Sequence, residues 1–293
     1  EIILKNYKKL IFKTYNELQK NYAHFSHSDK FFLRSILKKN DSIVKIEDIS
    51  GRIKRNSIFA SVKIPKLNFD FQILNQRKLG VLKKNKKVED FKLQTLENLF
   101  TWFSTIFINP THFEFTEEKL TDSNYTKVSF SPLKKYNNKA IGYYIINNKN
   151  KAIKEYYSKT NPAFTEKIVF EKKQGFKWRT INTELSIIYD KDKKNDNYFI
   201  SNGNLKQVVE LFNRKNKKTL YEIEYNLIVT EPFLNIMTFD SNISNKKELF
   251  KLKIKYDENF WLNQNQLPLT NELNEFIENI RTYKKDFKII SNF

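Results

Sequence analysis

At 293 residues the chain has room for one large β-rich domain or two small ones, and 40% hydrophobic content with 26 Phe and 15 Tyr argues against global disorder. The lack of cysteine excludes disulfides, thiolate metal sites and a cysteine nucleophile, and no stretch approaches the roughly 20 apolar residues of a membrane-spanning helix. A net charge of +20 admits two readings: a footprint for an anionic partner, or lysine spread by a composition rich in Lys, Asn, Ile, Phe and Tyr.

Along residues 3–22, Leu4, Tyr7, Ile11, Tyr15, Leu18 and Tyr22 recur at steps of three and four, the signature of an amphipathic helix. From Lys30 to Val62 the chain reads as strands, FFLRSILKK, SIVKIEDISGRI and SIFASV. Leu67, Phe69, Phe71 and Ile73 then alternate with polar neighbours as in a half-buried strand, with a turn expected at Asn75-Gln76 before RKLGVLK. The period changes to 3.6 between Phe91 and Phe107. Leu96, Leu99, Phe100, Phe103, Ile106 and Phe107 form one wide aromatic stripe, with Asp90 as expected N-cap and Asn109-Pro110 as the stop.

A long meander follows, from Phe113 to Val229. Phe113 and Phe115 alternate with acids, and Val128 and Phe130 lead to Pro132, which closes that strand because proline cannot donate to a ladder. The run AIGYYII (Ala140 to Ile146) is apolar on both phases, which predicts a central strand covered on both faces, with the aromatic helix lying on it. Between Phe176 and Tyr189 the apolar phase switches, placing a bulge near Arg179-Thr180. Tyr221 to Val229 alternate cleanly, and so do Phe250, Leu252, Ile254 and Tyr256 after a polar connection from Asp240 to Lys247. Thr270 caps a last helix bearing Leu273, Phe276, Ile277 and Ile280. The basic runs Lys83–Lys87, Asn147–Lys151, Lys191–Asp196 and Arg214–Lys218 fall between these segments, where solvated hairpin tips are the default. Without a Gly/Ser-rich linker or a repeat, the expectation is one β-rich domain over residues 1–293.

The catalytic inventory is thin. The sequence has no P-loop, GxSxG elbow, HExxH or dinucleotide fingerprint, and no cofactor is expected. His24, His27 and Asp29 could offer two nitrogens and a carboxylate to a metal, but their position favours a polar connector, and no metal site is expected. Glu222 and Glu224 share one strand face opposite the apolar stripe, which favours a solvated surface over an acid–base dyad.

The order helix, strands, aromatic helix and long meander, with FEF (Phe113 to Phe115), YTKVSFSP (Tyr125 to Pro132), AIGYYIINNKNKAI and YEIEYNLIV, resembles the LolA/LolB-like lipoprotein-carrier fold. More narrowly it is similar to uncharacterised Bacteroidota-type envelope proteins, of the kind often found with a carboxypeptidase-like regulatory domain. The resemblance implies an α+β, mainly β fold: a large curved antiparallel sheet, an incomplete β-barrel, whose concave face is covered by an N-terminal, a central and a C-terminal helix. It further implies export to the periplasm or the periplasmic face of the outer membrane, any signal lying upstream of Glu1. The role implied is non-enzymatic: binding a lipid or acyl chain, or serving in an outer-membrane assembly with protein partners, and no catalytic residues come with the family. An apolar cavity would lie between Leu99, Phe100, Phe103 and Phe107 of the aromatic helix and Ile141, Tyr143 and Ile145 of the sheet. Two other readings remain: a basic module for nucleic acid or an anionic glycan, the nucleic acid being disfavoured, and an unrecognised glycan-active enzyme.

Overall fold

A computed structural model describes residues 10–60, 66–83, 91–105, 110–136, 139–234, 239–280 and 287–293. Its strands are β1 (His27–Lys39), β2 (Ser42–Arg55), β3 (Phe69–Lys83), β4 (Phe113–Lys119), β5 (Tyr125–Pro132), β6 (Ala140–Asn147), β7 (Ile153–Thr160), β8 (Glu171–Lys173), β9 (Phe176–Lys191), β10 (Tyr198–Phe212), β11 (Lys218–Glu231) and β12 (Phe287–Ser291). The helices are α1 (Leu10–Asn21), α2 (Leu96–Ser104), α3 (Glu258–Asn263) and α4 (Asn271–Asn279). The strands form one antiparallel 12-stranded sheet, not closed into a barrel, in the order β12-β3-β2-β1-β11-β10-β9-β7-β6-β5-β4, with β8 added to β9. The fold class is α+β, mainly β, as expected, with one large open antiparallel sheet.

Two meanders therefore make the sheet, β1 to β3 with β12 and β4 to β11, and they join where β1 pairs with β11, Leu33 opposite Leu227. Period-two alternation sends Phe31, Leu33, Leu37, Tyr225, Leu227, Leu205, Ile187, Tyr156 and Tyr144 to one face, the core face, which α1 and α2 cover. α2 lies over the seam: the Phe100 ring is 5.2 Å from Phe31 and 5.3 Å from Phe71, and a Cβ at Gly203 would meet Phe103 at 2.7 Å. α1 lies over the other meander, with Leu10 N donating to Glu117 and the Tyr22 hydroxyl bonded to both the carbonyl and the amide of Ile153. Leu4 and Tyr7 lie outside the described residues.

The C-terminal helices, expected on the same concave face as the other two, pack on the opposite, outer face. Leu273, Phe276 and Ile280 meet Ile43, Ile46, Leu79 and Val81, and Phe260 stacks on Phe32 at 6.0 Å. What ties this cover down is charged. Asp48 is fully buried and accepts from Arg34 Nε (2.8 Å) and Arg77 Nη2 (2.5 Å), while Arg34 also donates to the carbonyls of Leu267 and Pro268.

Several elements differ from expectation. The AIGYYII run is β6, third from the β4 edge rather than central, and its outer side chains are half-buried. Two-phase apolarity there serves a lateral stack, Tyr143 on Tyr157 at 5.2 Å with the Lys127 ammonium 5.0 Å above Tyr143. α2 covers β1, β3 and β10 instead of β6, because the sheet joins its two meanders at β1. Asn75-Gln76 is no turn: β3 runs through it, and Leu74 is an extra residue between the pairs Gly51–Ile73 and Ser50–Asn75. The phase switch in β9 is a bulge as expected, centred on Ile181. α2 begins at Leu96, capped by the Thr95 hydroxyl rather than by Asp90, which lies outside the described residues. Ser57–Phe59 is not a strand, although Ile58 and Phe59 are buried.

The alternating run from Phe250 to Tyr256 is not a strand either. It crosses the core face beside β3, where β12 already holds the backbone ladder opposite Leu79 to Lys83, so side chains make the contacts. Lys78 Nζ donates to the carbonyls of Phe250 (3.0 Å) and Leu252, and Ile254 N donates to Gln76 Oε1 at 3.0 Å. The polar run Asp240–Lys247 has a similar task. Asn242 mimics a strand residue by accepting from Ile73 N (2.9 Å) and donating to Ile73 O (2.7 Å), while Ser241 and Asn245 donate to the carbonyls of Phe71 and Phe69. The free edge of β3 beyond β12 is thus blunted by side chains.

Two stability outcomes follow. Asn242→Ala leaves both main-chain groups of Ile73 without these partners and lowers unfolding free energy in urea by about 1–3 kcal/mol, whereas Asp240→Ala leaves it unchanged. Asp48→Ala strands two arginines in a dry site and costs about 3–5 kcal/mol; an effect no larger than a surface substitution would show that the clamp does not hold the C-terminal cover.

Candidate apolar-ligand site

The core face under α2 carries two kinds of surface. Toward one end of the strands it is aromatic: Phe31, Phe69, Phe71, Phe100 and Phe103 are all buried and linked by a chain of edge, tilted and stacked ring contacts. Two rows nearer the other end, beyond Leu227, Leu33, Ile49 and Gln76, cross-strand register aligns Tyr225, Ser35, Glu47 and Lys78 on β11, β1, β2 and β3. This row is polar, and it lies in the phase of the apolar stripe because Lys45 and Glu47 occupy the same strand face as Ile49 and Ile53.

Glu47 accepts from Gln76 Nε2 at 2.6 Å through one oxygen, while the other has no partner. Burial pushes its carboxyl up to about 8 despite that hydrogen bond and nearby Lys78. Burial likewise lowers Lys78, so each member of the pair leans toward its neutral form. The Tyr225 hydroxyl accepts from Gln94 N at 2.8 Å, and Gln94 O accepts from Leu249 N at 3.1 Å. Leu93 N donates to Glu248 at 3.0 Å. These bonds hold the entry to α2. Among the described residues, the polar side chains within the helix bond only to its own turns: Thr101 to Glu97, Thr105 to Thr101, and Asn98 to Gln94.

Of the expected site residues, Leu99, Phe100 and Phe103 stand together, fully buried, on the sheet-facing side of α2. Phe107 lies outside the described residues. Ile141, Tyr143 and Ile145 point to the outer face of β6, each half-buried, and so do not share a chamber with the helix; the inward residues of that strand are Tyr144 and Ile146. Gln76, Lys78 and Tyr225 were missed. The available signal was an acid, Glu47, in phase with buried isoleucines.

Elsewhere the chemistry is occupied. HFSHSD is no solvated connector: His27 and Asp29 open β1, buried, with Arg55 donating to His27 Nε2 (3.1 Å) and Asp29 Oδ2 (2.5 Å). The guanidinium supplies the positive charge a cation would bring, and burial lowers the His27 pKa. Among the described residues no three His, Asp or Glu side chains could hold a metal ion. Glu222 and Glu224 do lie on the outer face, Glu222 paired with Lys206 at 3.1 Å and Glu224 accepting from Asn204 and Asn226. On that face a groove of about 360 Å³ separates Asn202, Asn204 and Asn226 from Leu267 and Pro268.

No protein-family profile and no curated protein matches the chain. Solved structures similar to it include a putative outer membrane lipoprotein-sorting protein domain from Vibrio parahaemolyticus, at 9% identity over 80% of this chain and 92% of that one, TM-score 0.33. A LolA superfamily protein from Nitrosomonas europaea is similar at 6% identity over 75% and 93%, TM-score 0.24. Lipovitellin, solved to describe its lipid–protein interactions, is similar at 10% identity over 84% of this chain, TM-score 0.28, and the chain spans 29% of its length. LolA superfamily proteins are thus among the structural neighbours. No neighbour bears on a Bacteroidota grouping or a carboxypeptidase-like domain, and at TM-scores below 0.5 the likenesses carry no functional argument. Among the described residues no helix is long and apolar enough to cross a membrane.

The raised Glu47 pKa sets a pH dependence. Between the ordinary 4.5 and about 8 the folded state keeps a proton that the unfolded chain has lost, so stability falls as pH rises through that window. Lys78 works oppositely, because its lowered pKa adds stability as pH rises toward 10.5. Urea midpoints measured from pH 5 to 8 should lose their downward component in Glu47→Gln; an unchanged profile would mean that Glu47 is ionised in its site.

Proposed function

We propose that the chain is a non-enzymatic binding protein for a lipid or acyl chain, taken up between α2 and the core face of the sheet, within one domain spanning residues 1–293. The observation that carries the reading is the way α2 is held. Its polar ties gather at Leu93, Gln94 and Thr95, while its body is held by apolar packing, with Phe100 against Phe31 and Phe71 and Phe103 over Gly203. An apolar chain can replace those ring contacts at little cost, since both are non-directional burial. Hydrogen bonds at the entry then keep the helix attached. The chain of the ligand would lie against Phe31, Phe71 and Phe100, with its polar end toward Gln76, Glu47 and Lys78.

This role fits residence in the periplasm or at the periplasmic face of the outer membrane, with an outer-membrane assembly as the alternative employment of the same surface. Titration with a fluorescent fatty acid should show saturable binding. Tyr225→Phe, which deletes the tie to Gln94 N, should speed uptake several-fold while costing about 1 kcal/mol of stability. Absence of saturation, with native mass spectrometry finding no co-purified lipid, would sink the reading.

A further inference from the structure

We infer that the sheet end bearing the β8–β9 and β10–β11 turns docks on an anionic lipid surface. The two turns are built against each other. Gln174 and Gly175 adopt left-handed backbone (φ 51° and 83°), and Arg214 Nε donates to Gln174 O at 3.0 Å. A Cβ at Gly175 would meet Arg214 Cγ at 2.8 Å, so glycine lets the second turn approach. Between them lies a groove of about 420 Å³ lined by Lys172, Lys173, Lys177 and Arg214. Lys215 and Lys217 stand exposed beside it.

Local acids do not neutralise this cluster. Glu210 is taken by Arg179 (2.8 Å) and Lys218, and among the described residues no carboxylate lies within ion-pair distance of Lys172, Lys173, Lys215 or Lys217. The turn at the other end of β9 and β10 differs, because there Lys191 pairs with Asp196 at 2.5 Å and Lys154 with Asp190. Across β9 and β10 the excess of cations over acids therefore lies at the end with the β8–β9 and β10–β11 turns.

An apolar side chain stands among these cations. Val169 is 82% exposed, beside Phe170, which is pinned 5.6 Å from Phe212 with the Arg179 guanidinium 4.5 Å over its ring. A soluble polyanion would use the lysines and leave Val169 in water. A bilayer uses both, attracting the lysines to its headgroups and burying the valine among the acyl boundaries. The inference is independent of a ligand under α2, since the tip and the helix share no residue.

Flotation with phosphatidylcholine vesicles, with and without phosphatidylglycerol, tests it on the full chain. Binding is expected to the anionic vesicles alone and to fall with salt. Lys172→Gln, Lys173→Gln and Lys217→Gln should each weaken it roughly fivefold, and Val169→Asp several-fold. Lys193→Gln with Lys194→Gln, at the opposite end, should leave it unchanged, and circular dichroism should show all variants folded. Equal binding to neutral vesicles, no binding at all, or an equal loss in the opposite-end variant would each overturn the inference. So would capture by heparin together with indifference of vesicle binding to Val169→Asp, which would assign the tip to a soluble polyanion.

Discussion

The ladder between β1 and β11 is the constraint on which the structure depends. It joins residues about two hundred positions apart, Lys30 with Glu231 and Leu33 with Leu227, and it turns two separate meanders into one surface. Such a pairing has a high loop-closure cost and is rewarded only once flanking side chains are buried. α2 supplies that burial. It lies in the connection between the two meanders and sets Phe100 over β1 and β3 and Phe103 over β10, so the crossover segment itself clamps the seam it creates.

Joining the meanders in this way leaves β1, β2 and β3 with covers on both faces, while β4 to β7 are packed chiefly on one. Strands buried on both sides have no solvent face for their polar residues, so those residues are consumed internally. Asp48 with Arg34 and Arg77, Asp29 with Arg55 and His27, and Glu47 with Gln76 and Lys78 are three solutions to the same problem. The first two put a carboxylate against guanidinium groups. The third has an acid with one oxygen unpartnered and a pKa raised by burial, so it is the least fully satisfied of the three.

Strand identity was legible because period two is written directly in runs such as Tyr221 to Val229, and the mainly β class with covering helices followed from it. The basic runs read as tips were tips at 147–151, 192–196 and 213–217; most of Lys83–Lys87 falls outside the described residues. Strand order was not legible. Alternation says which residues share a face, never which strand is the neighbour, and so Ile141, Tyr143 and Ile145 were set beside a helix that lies on a different part of the sheet, over the opposite face. Alternation also misled at Phe250 to Tyr256, where the burial pattern is real but a neighbouring strand already occupies the ladder. The edge-blunting asparagines were invisible for the converse reason: Asn242 and Asn245 look like loop composition, and only the position of β3 gives them partners.

The polar row and the aromatic rows under α2 belong to one register. Along β2 the core face runs from Glu47 through Ile49 and Ile53 to Arg55, and along β3 from Lys78 through Gln76 to Phe71, so the hydrocarbon stretch lies between two buried ionisable groups, Glu47 with Lys78 and Asp29 with Arg55. Glu47 is the costlier of these two groups, since an apolar residue at position 47 would avoid burying a carboxyl with one free oxygen, whereas Asp29 is paired with Arg55. An amphiphile lying under α2 would match the stretch from Lys78 through Gln76 to Phe71. The Glu47–Lys78 row lies toward the part of the sheet that carries the β10–β11 turn, because Lys78 precedes Lys83 on β3 as Tyr225 follows Lys218 on β11. The Glu47–Lys78 row and the basic tip therefore lie toward the same end of the sheet, aligned by strand direction and by the single seam that joins the two meanders.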